Sequence, residues 1–236
     1  MDLGLADRVY VLTGASKGLG FATARSLVAD GAKVVISSRS AESVEAAVAE
    51  LGDGAAGVAA DLTDPATPEL LVRTARARFG RLDGALVSVG GPDRGTAAQL
   101  TDDQWRGAFE TVFLGSVRAM RTFAAELGEG GAIAVVLSTS TRTPIPGLGL
   151  SNGLRPGLAG VAKDMADEFG PPRRTGGQPA ARAGDDRPQP RALRGHRGRR
   201  RRGGRGGRVH SPRATRRAGG VRTGGGVRAV AAGSAT

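Results

Sequence analysis

Thr13-Gly14-Ala15-Ser16-Lys17-Gly18-Leu19-Gly20 decides the fold of this chain. The stretch follows the apolar run Val9-Tyr10-Val11-Leu12 and leads into Phe21-Ala22-Thr23-Ala24-Arg25-Ser26-Leu27-Val28. That order reads as strand, glycine-rich turn, helix. Glycines let a backbone approach a ligand closely, and a helix N-terminus offers free N–H groups and the positive end of its dipole. Gly14, Gly18 and Gly20, with Ser16, Lys17 and Leu19 between them, are therefore candidates for holding a nucleotide diphosphate. Glycines at this spacing also fit an ordinary tight turn. The strand before, the helix after and a second strand ending near Arg39 favour the phosphate cradle.

Outward from that turn, strand-like and helix-like segments alternate. The pattern predicts strands at Val9–Leu12, Lys33–Ser37, Gly57–Ala60, Leu82–Val89 and Ala132–Leu137. Helices are expected at Gly20–Asp30, Ala41–Leu51, from Pro65 in a first turn to about Phe79, from a Thr101 cap to about Leu127, and at Ser151–Phe169. Gly31 reads as a helix C-cap. Strands separated by helices imply a parallel sheet covered on both faces.

The formal net charge of +12 is not spread evenly. Residues 1–170 hold 16 Lys+Arg and 20 Asp+Glu, whereas residues 171–236 hold 18 Arg and 2 Asp. Nucleic-acid binding by the whole protein therefore does not follow from its charge. There is no cysteine, and both histidines, His196 and His210, fall after residue 170. No metal centre or disulfide is expected. No apolar run approaches the ~20 residues of a membrane span, and the N-terminus lacks a signal-peptide pattern. The expected location is cytoplasmic, with no membrane partner.

Residues 13–20 resemble the TGxxxGxG fingerprint of the short-chain dehydrogenase/reductase family. Further support comes from Asp61-Leu62 after strand three, Ser88-Val89-Gly90-Gly91 after strand four and Ser138 after strand five. The resemblance covers about residues 5–170 and implies a Rossmann-like, doubly wound parallel sheet in strand order 3-2-1-4-5. It also implies that Asp61 and Leu62 contact adenine. The turn after strand four, Asn-Asn-Ala-Gly in the family, keeps only Gly90 here. At the end of strand two an acidic residue would bond the ribose of NAD. This chain has Ser37-Ser38-Arg39 there, with Lys17 nearby, and two cations at that corner suit a 2′-phosphate. NADP(H) is favoured over NAD(H), against the alternative that both cations are simply solvated.

The family's catalytic Asn-Ser-Tyr-Lys set is mostly replaced. Ser138 stands at the Ser position, Ser151 where Tyr is expected, Arg155 where Lys is expected, and Val112 at the Asn position. The combination resembles a divergent subgroup, similar to 3-oxoacyl carrier-protein reductases, with Ser-x-x-x-Arg for Tyr-x-x-x-Lys. The single tyrosine, Tyr10, reads as core. A serine hydroxyl is a far weaker acid than a phenol, and arginine stays protonated near neutral pH. In one reading Ser138 and Ser151 orient the carbonyl of a small carbonyl or alcohol substrate, with the proton from water or substrate. In the other the protein binds the dinucleotide without chemistry. Ser138 as a strand-end serine bonding loop backbone, and Arg155 as a solvated helix charge, are the plain alternatives.

After residue 170 the pattern stops. Residues 171–236 have no aromatic residue, one leucine and four valines against 15 glycines. So few large apolar side chains cannot offset chain entropy, and a disordered basic tail is expected, lacking strands six and seven. Advancing the obligatory codon bases by one nucleotide from Pro171-Pro172 permits "PRGVRVVNLLPG", the strand and Pro-Gly turn the family has there. A shifted reading frame near residue 171 is inferred. Family members assemble as tetramers through helices that include Ser151–Phe169, and the altered tail argues against that assembly here. Arg199–Arg202 and the glycine-arginine run after it resemble RNA-binding segments, but no aromatics interleave to stack on bases. Nucleic acid is thus the weaker alternative, non-specific and confined to the tail.

Overall fold

The computed structural model describes residues 3–170 and the dipeptide Ala231–Ala232. Expectations for residues 171–230, among them the disordered tail and the shifted frame, lie outside the described residues.

Six strands form one parallel sheet in the order β3-β2-β1-β4-β5-β6. They are β1 Val9–Leu12, β2 Lys33–Ser38, β3 Ala55–Ala59, β4 Gly84–Val87, β5 Ala132–Val136 and β6 Ala231–Ala232. The five-strand order is the expected one. β6 is an addition: its two residues pair with Val135 and Val136 of β5, where no strand was foreseen in a sequence so poor in apolar residues. The helices are α1 Gly18–Ala29, α2 Ala41–Leu51, α3 Thr67–Phe79, α4 Asp102–Ala108, α5 Gly115–Glu126 and α6 Gly149–Phe169.

Alternation along the strands divides the core. Leu12, Val34 and Ile36 face α1 and α2, where Ala24, Ala47 and Leu51 close the layer. Val9, Val11, Val35, Ile133 and Val135 face the other way, onto Leu71, Phe123 and Leu158 of α3, α5 and α6. Each such aliphatic side chain, taken fully out of water, stabilises the fold by about 1.5–3 kcal/mol. Both faces are buried, which is why these strands read as apolar runs. Tyr10 is half-buried in the α1/α2 layer. Its ring lies where a Cβ on Gly84 would come within 2.8 Å. Burial raises its pKa, and its place in that layer, outside the lining of both clefts at the site, makes it packing rather than an acid for the site.

Several boundaries differ from the sequence reading for local reasons. α1 opens at Gly18, two residues before the expected Gly20, with Gly18 itself at φ +59°. β4 starts only at Gly84. Before it, Asp83 turns its carboxylate back to accept from the Val9 N–H at 2.9 Å and to pair with Arg81 at 2.5 Å. α3 begins at Thr67, so its first-turn proline is Pro68 rather than Pro65. Asp64 makes the difference: its Oδ1 accepts from the Ala66 N–H at 2.9 Å and holds Pro65 in the preceding turn. Thr101 does cap α4, and Gln104 completes a reciprocal capping box. The helix then passes through a π-helical turn, Phe109–Leu114, before resuming as α5.

α6 packs closely because it is small on one side. A Cβ on Gly149 would lie 2.7 Å from the Ala97 nitrogen, and one on Gly153 would lie 2.9 Å from the Trp105 ring. This packing brings Leu150 and Leu154 against Ala108 and Val112 and sets the start of α6 beside the end of β5.

Candidate active site

The site is built at the carboxyl ends of β1, β4 and β5, where a parallel sheet with helices on both faces leaves a crevice. Thr13 is fully buried and ties β1 to β4 twice: its hydroxyl donates to the Ser88 carbonyl at 2.7 Å and accepts from the Ser88 N–H at 2.9 Å. Gly14 follows with φ +56°, and a Cβ there would lie 2.6 Å from the Ser88 carbonyl oxygen. At Gly20 a Cβ would lie 2.7 Å from the Gly14 carbonyl. The glycine turn is therefore pressed against β4 and folded on itself. At Gly18 (φ +59°) a Cβ would meet nothing within 4 Å. No side chain caps the N-terminus of α1, so its first N–H groups are left for a ligand.

A cleft of about 760 Å3 runs from this turn toward the end of β2, with Ser16, Lys17, Arg39, Asp61, Leu62 and Gly90 along it. Lys17 and Arg39 make no ion pair among the described residues. Asp61 Oδ1 accepts from the Thr63 N–H at 3.0 Å. Leu62 is mostly core: its carbonyl lies 2.7 Å from where a Cβ on Gly115 would be, and its side chain joins the α3/α5 layer. The structure thus gathers the predicted dinucleotide residues along this cleft, except Gly18, which lines neither cleft, and the pair Leu19 and Gly20. Those two line an adjoining cleft of about 360 Å3, together with Gly14, Ser138, Ser151 and Arg155. The donor set fits a dinucleotide: a tightly folded glycine turn, uncapped amides, and the cations Lys17 and Arg39 along the cleft.

Ser138 lies two residues past β5 and caps the short 3-10 turn Thr139–Thr141, its Oγ accepting from the Ser140 N–H at 3.1 Å. That is the backbone role of the plain reading, and the hydroxyl proton remains available to a ligand. Ser151 is buried and shares a 3.0 Å hydrogen bond with the Ser140 hydroxyl. Ser140, 2% exposed, is a site residue that the sequence reading missed. Its only signal was its place two residues after Ser138 in a Ser-Thr-Ser-Thr run. Asn152 was also missed: its amide donates to the Ile145 carbonyl at 2.9 Å and accepts from the Ile145 N–H at 3.0 Å, pinning the loop before α6.

Arg155 is not a solvated helix charge. It is 6% exposed. Nη1 donates to the Val136 carbonyl at 2.8 Å and Nη2 to the Val89 carbonyl at 3.4 Å, while the buried Nε has no partner. Desolvation lowers its pKa. Val112, at the position of the family's Asn, is 1% exposed and lies in the π-helical turn. It can offer a ligand only backbone, and its carbonyl already accepts from the Ser116 hydroxyl at 2.8 Å.

Comparison with known proteins agrees with this architecture. The short chain dehydrogenase family pattern matches residues 8–173. An uncharacterized oxidoreductase of Methylorubrum extorquens is 33% identical over 171 residues, covering 71% of this chain and 69% of that protein. Human mitochondrial dehydrogenase/reductase SDR family member 2 is 33% identical over 180 residues, covering 71% of this chain. The match spans only 61% of the human protein's length. Among solved structures, L-sorbose reductase from Gluconobacter frateurii, complexed with NADPH and L-sorbose, superimposes with a TM-score of 0.66 at 26% identity, over 72% of this chain and 66% of that one. A 3-ketoacyl-(acyl-carrier-protein) reductase from Brucella melitensis, complexed with NADH, gives 0.65 at 28% identity, over 70% and 71%.

Proposed function

The chain belongs to the short-chain dehydrogenase family, and on that premise we propose that it is an NADP(H)-dependent oxidoreductase acting on a small carbonyl or alcohol. One observation carries the reading. The glycine turn, which carries Lys17, opens an uncapped helix N-terminus onto a cleft that Arg39 lines at the end of β2, both cations without an acidic partner among the described residues. Two free cations there suit a 2′-phosphate, and no carboxylate stands at the end of β2 to bond ribose hydroxyls instead. If so, Arg39→Ala weakens NADPH binding about tenfold, the scale of one charge-assisted hydrogen bond, and leaves NADH binding unchanged. Equal losses for both cofactors would count against the preference.

A bound nicotinamide supplies or accepts hydride. The chain's own part is orientation. Ser138 donates a hydrogen bond from its free hydroxyl to the substrate oxygen and keeps its proton. Ser151, held by Ser140, narrows the same wall. Arg155 stays cationic at neutral pH and cannot relay a proton, so the proton comes from water reaching the cleft or from the substrate. Such a site lacks the acid–base contribution of about 10²–10⁴-fold that a positioned phenol would add. Turnover is correspondingly slow.

NADPH oxidation followed across a panel of ketones and aldehydes tests this. The expected result is slow turnover of at least one carbonyl, reduced about tenfold by Ser138→Ala. The Ser140–Ser151 bond supports a second reading, a protein that binds the dinucleotide without chemistry, because it occupies the hydroxyl standing at the acid's position. NADPH bound but never consumed would select that reading.

A further inference from the structure

We propose that Arg118, which lines neither cleft, sets how tightly the adenine end of a dinucleotide is held, by fixing the turn at residues 61–63 from behind. This rests on the reading of the larger cleft as a dinucleotide site in which Asp61 and Leu62 meet the adenine. Arg118 is then a positioning residue for that site.

The turn is tied down mostly from within its own segment. Asp61 Oδ1 accepts from the Thr63 N–H at 3.0 Å, and the Asp61 carbonyl accepts from the Thr67 hydroxyl at 2.6 Å. Among the described residues, one hydrogen bond reaches it from far along the chain: Nη1 of Arg118, on α5, donates to the Thr63 carbonyl at 3.3 Å. The same Nη1 lies 3.3 Å from Glu110 Oε2. Only 21% of the Arg118 side chain is exposed, so its charge is answered by that carboxylate and its direction is set by it. The helix comes this near because Gly115 has no side chain: a Cβ there would lie 2.7 Å from the Leu62 carbonyl oxygen.

The π-helical turn accounts for the ion pair. Glu110 and Arg118 stand eight positions apart, which in a straight α-helix is about 800° of rotation, about 80° away from a common face. The turn Phe109–Leu114 takes up an extra residue. That leaves about 700° and returns the two side chains to within about 20° of one face. The carboxylate thereby steers the guanidinium onto Thr63. On the cleft side, Asp61 and Leu62 line the wall with Thr111 of the π-helical turn. Asp61 Oδ2 accepts no hydrogen bond among the described residues. A carboxylate can only accept, so a fixed Asp61 answers the 6-amino group of adenine and opposes the 6-oxo group of hypoxanthine. Because the turn is ordered in advance, the ligand does not have to order it on binding.

Nicotinamide fluorescence, titrated with the full chain, reads the affinity for NADPH and for its reduced hypoxanthine analogue, which differ only at C6 of the base. The wild type should bind NADPH about tenfold tighter. Arg118→Met should weaken NADPH about fivefold and the analogue less than about twofold, so that the preference between bases falls. Arg118→Lys, which still donates to the Thr63 carbonyl, should recover about half of that preference. Should Arg118→Met fail to fold, Glu110→Gln decides: it keeps the arginine, removes the charge that steers it and should lower the preference about two- to threefold. Equal losses for the two nucleotides would make Arg118 a merely structural contact and overturn the proposal, as would a wild type that does not distinguish them. A preference left intact by Arg118→Met, or by Glu110→Gln where that variant decides, would do the same. Binding of neither nucleotide would instead sink the dinucleotide reading itself, and this proposal with it.

Discussion

At the scale of single residues, the site depends on atoms that have no room or no partner. Gly14 combines a left-handed backbone with the Ser88 carbonyl, just past β4, lying 2.6 Å from the place of an added Cβ. Gly14→Ala therefore costs both the strain of φ +56° and a shift of β1 from β4, together about 2–4 kcal/mol. The urea midpoint should fall accordingly, with dinucleotide binding lost. A substitution tolerated within 0.5 kcal/mol would contradict the packing described. The Ser140–Ser151 pair makes a second prediction. Either Ser→Ala change leaves one buried hydroxyl unpaired and costs about 1–2 kcal/mol. The double change costs less than the two together, with a coupling of about 1 kcal/mol in a double-mutant cycle. Simple additivity would show that the 3.0 Å bond does not stabilise the fold. Arg155 contributes no pH dependence near neutrality. Its pKa is lowered by burial, so its protonated form opposes folding, and stability would rise only as pH climbs toward the arginine range, far above 7.

At the scale of elements, α6 positions the candidate catalytic side chains. It carries Ser151 and Arg155 to the cleft, and it can lie close to α4 only because Gly153 faces the Trp105 ring. Gly153→Ala pushes a methyl to 2.9 Å from that ring and should cost about 1–3 kcal/mol. Gly160→Ala, in the same helix with open space around it, should instead gain about 0.5–1 kcal/mol through helix propensity. Thermal unfolding of the pair reads both signs, and a stabilised Gly153→Ala would refute the close helix contact. The types of β1–β5 and of the helices were legible in the sequence from apolar runs and helical periods, whereas β6, two alanines, carries no such run. Their ends were not. Asp83 and Asp64 redirect the backbone through side-chain bonds that no hydrophobic pattern records. The π-helical turn at Phe109–Leu114 inserts a residue into an otherwise unbroken helical period.

At the scale of the whole molecule, the glycine turn made the cofactor half readable, because its spacing carries its own geometry. The catalytic half was readable only as positions. Ser138, Ser151 and Arg155 were picked as candidates by spacing, but whether each faced solvent or a cleft depended on chain segments far apart in sequence. Arg155 reaches carbonyls 19 and 66 residues away. We further propose that the codons after residue 170 are read one base out of register. The coding DNA should then give a sixth strand and a Pro-Gly turn in the shifted frame, and third bases that encode neither would end the idea.

The account turns on a dinucleotide diphosphate resting against the amino end of α1. Titration of NADPH fluorescence with the full chain, repeated with NADH and with Gly14→Val, tests this most directly. Saturable binding of both, tighter for NADPH and abolished by Gly14→Val, is the predicted result. No binding of either nucleotide, or binding that Gly14→Val leaves intact, would contradict it.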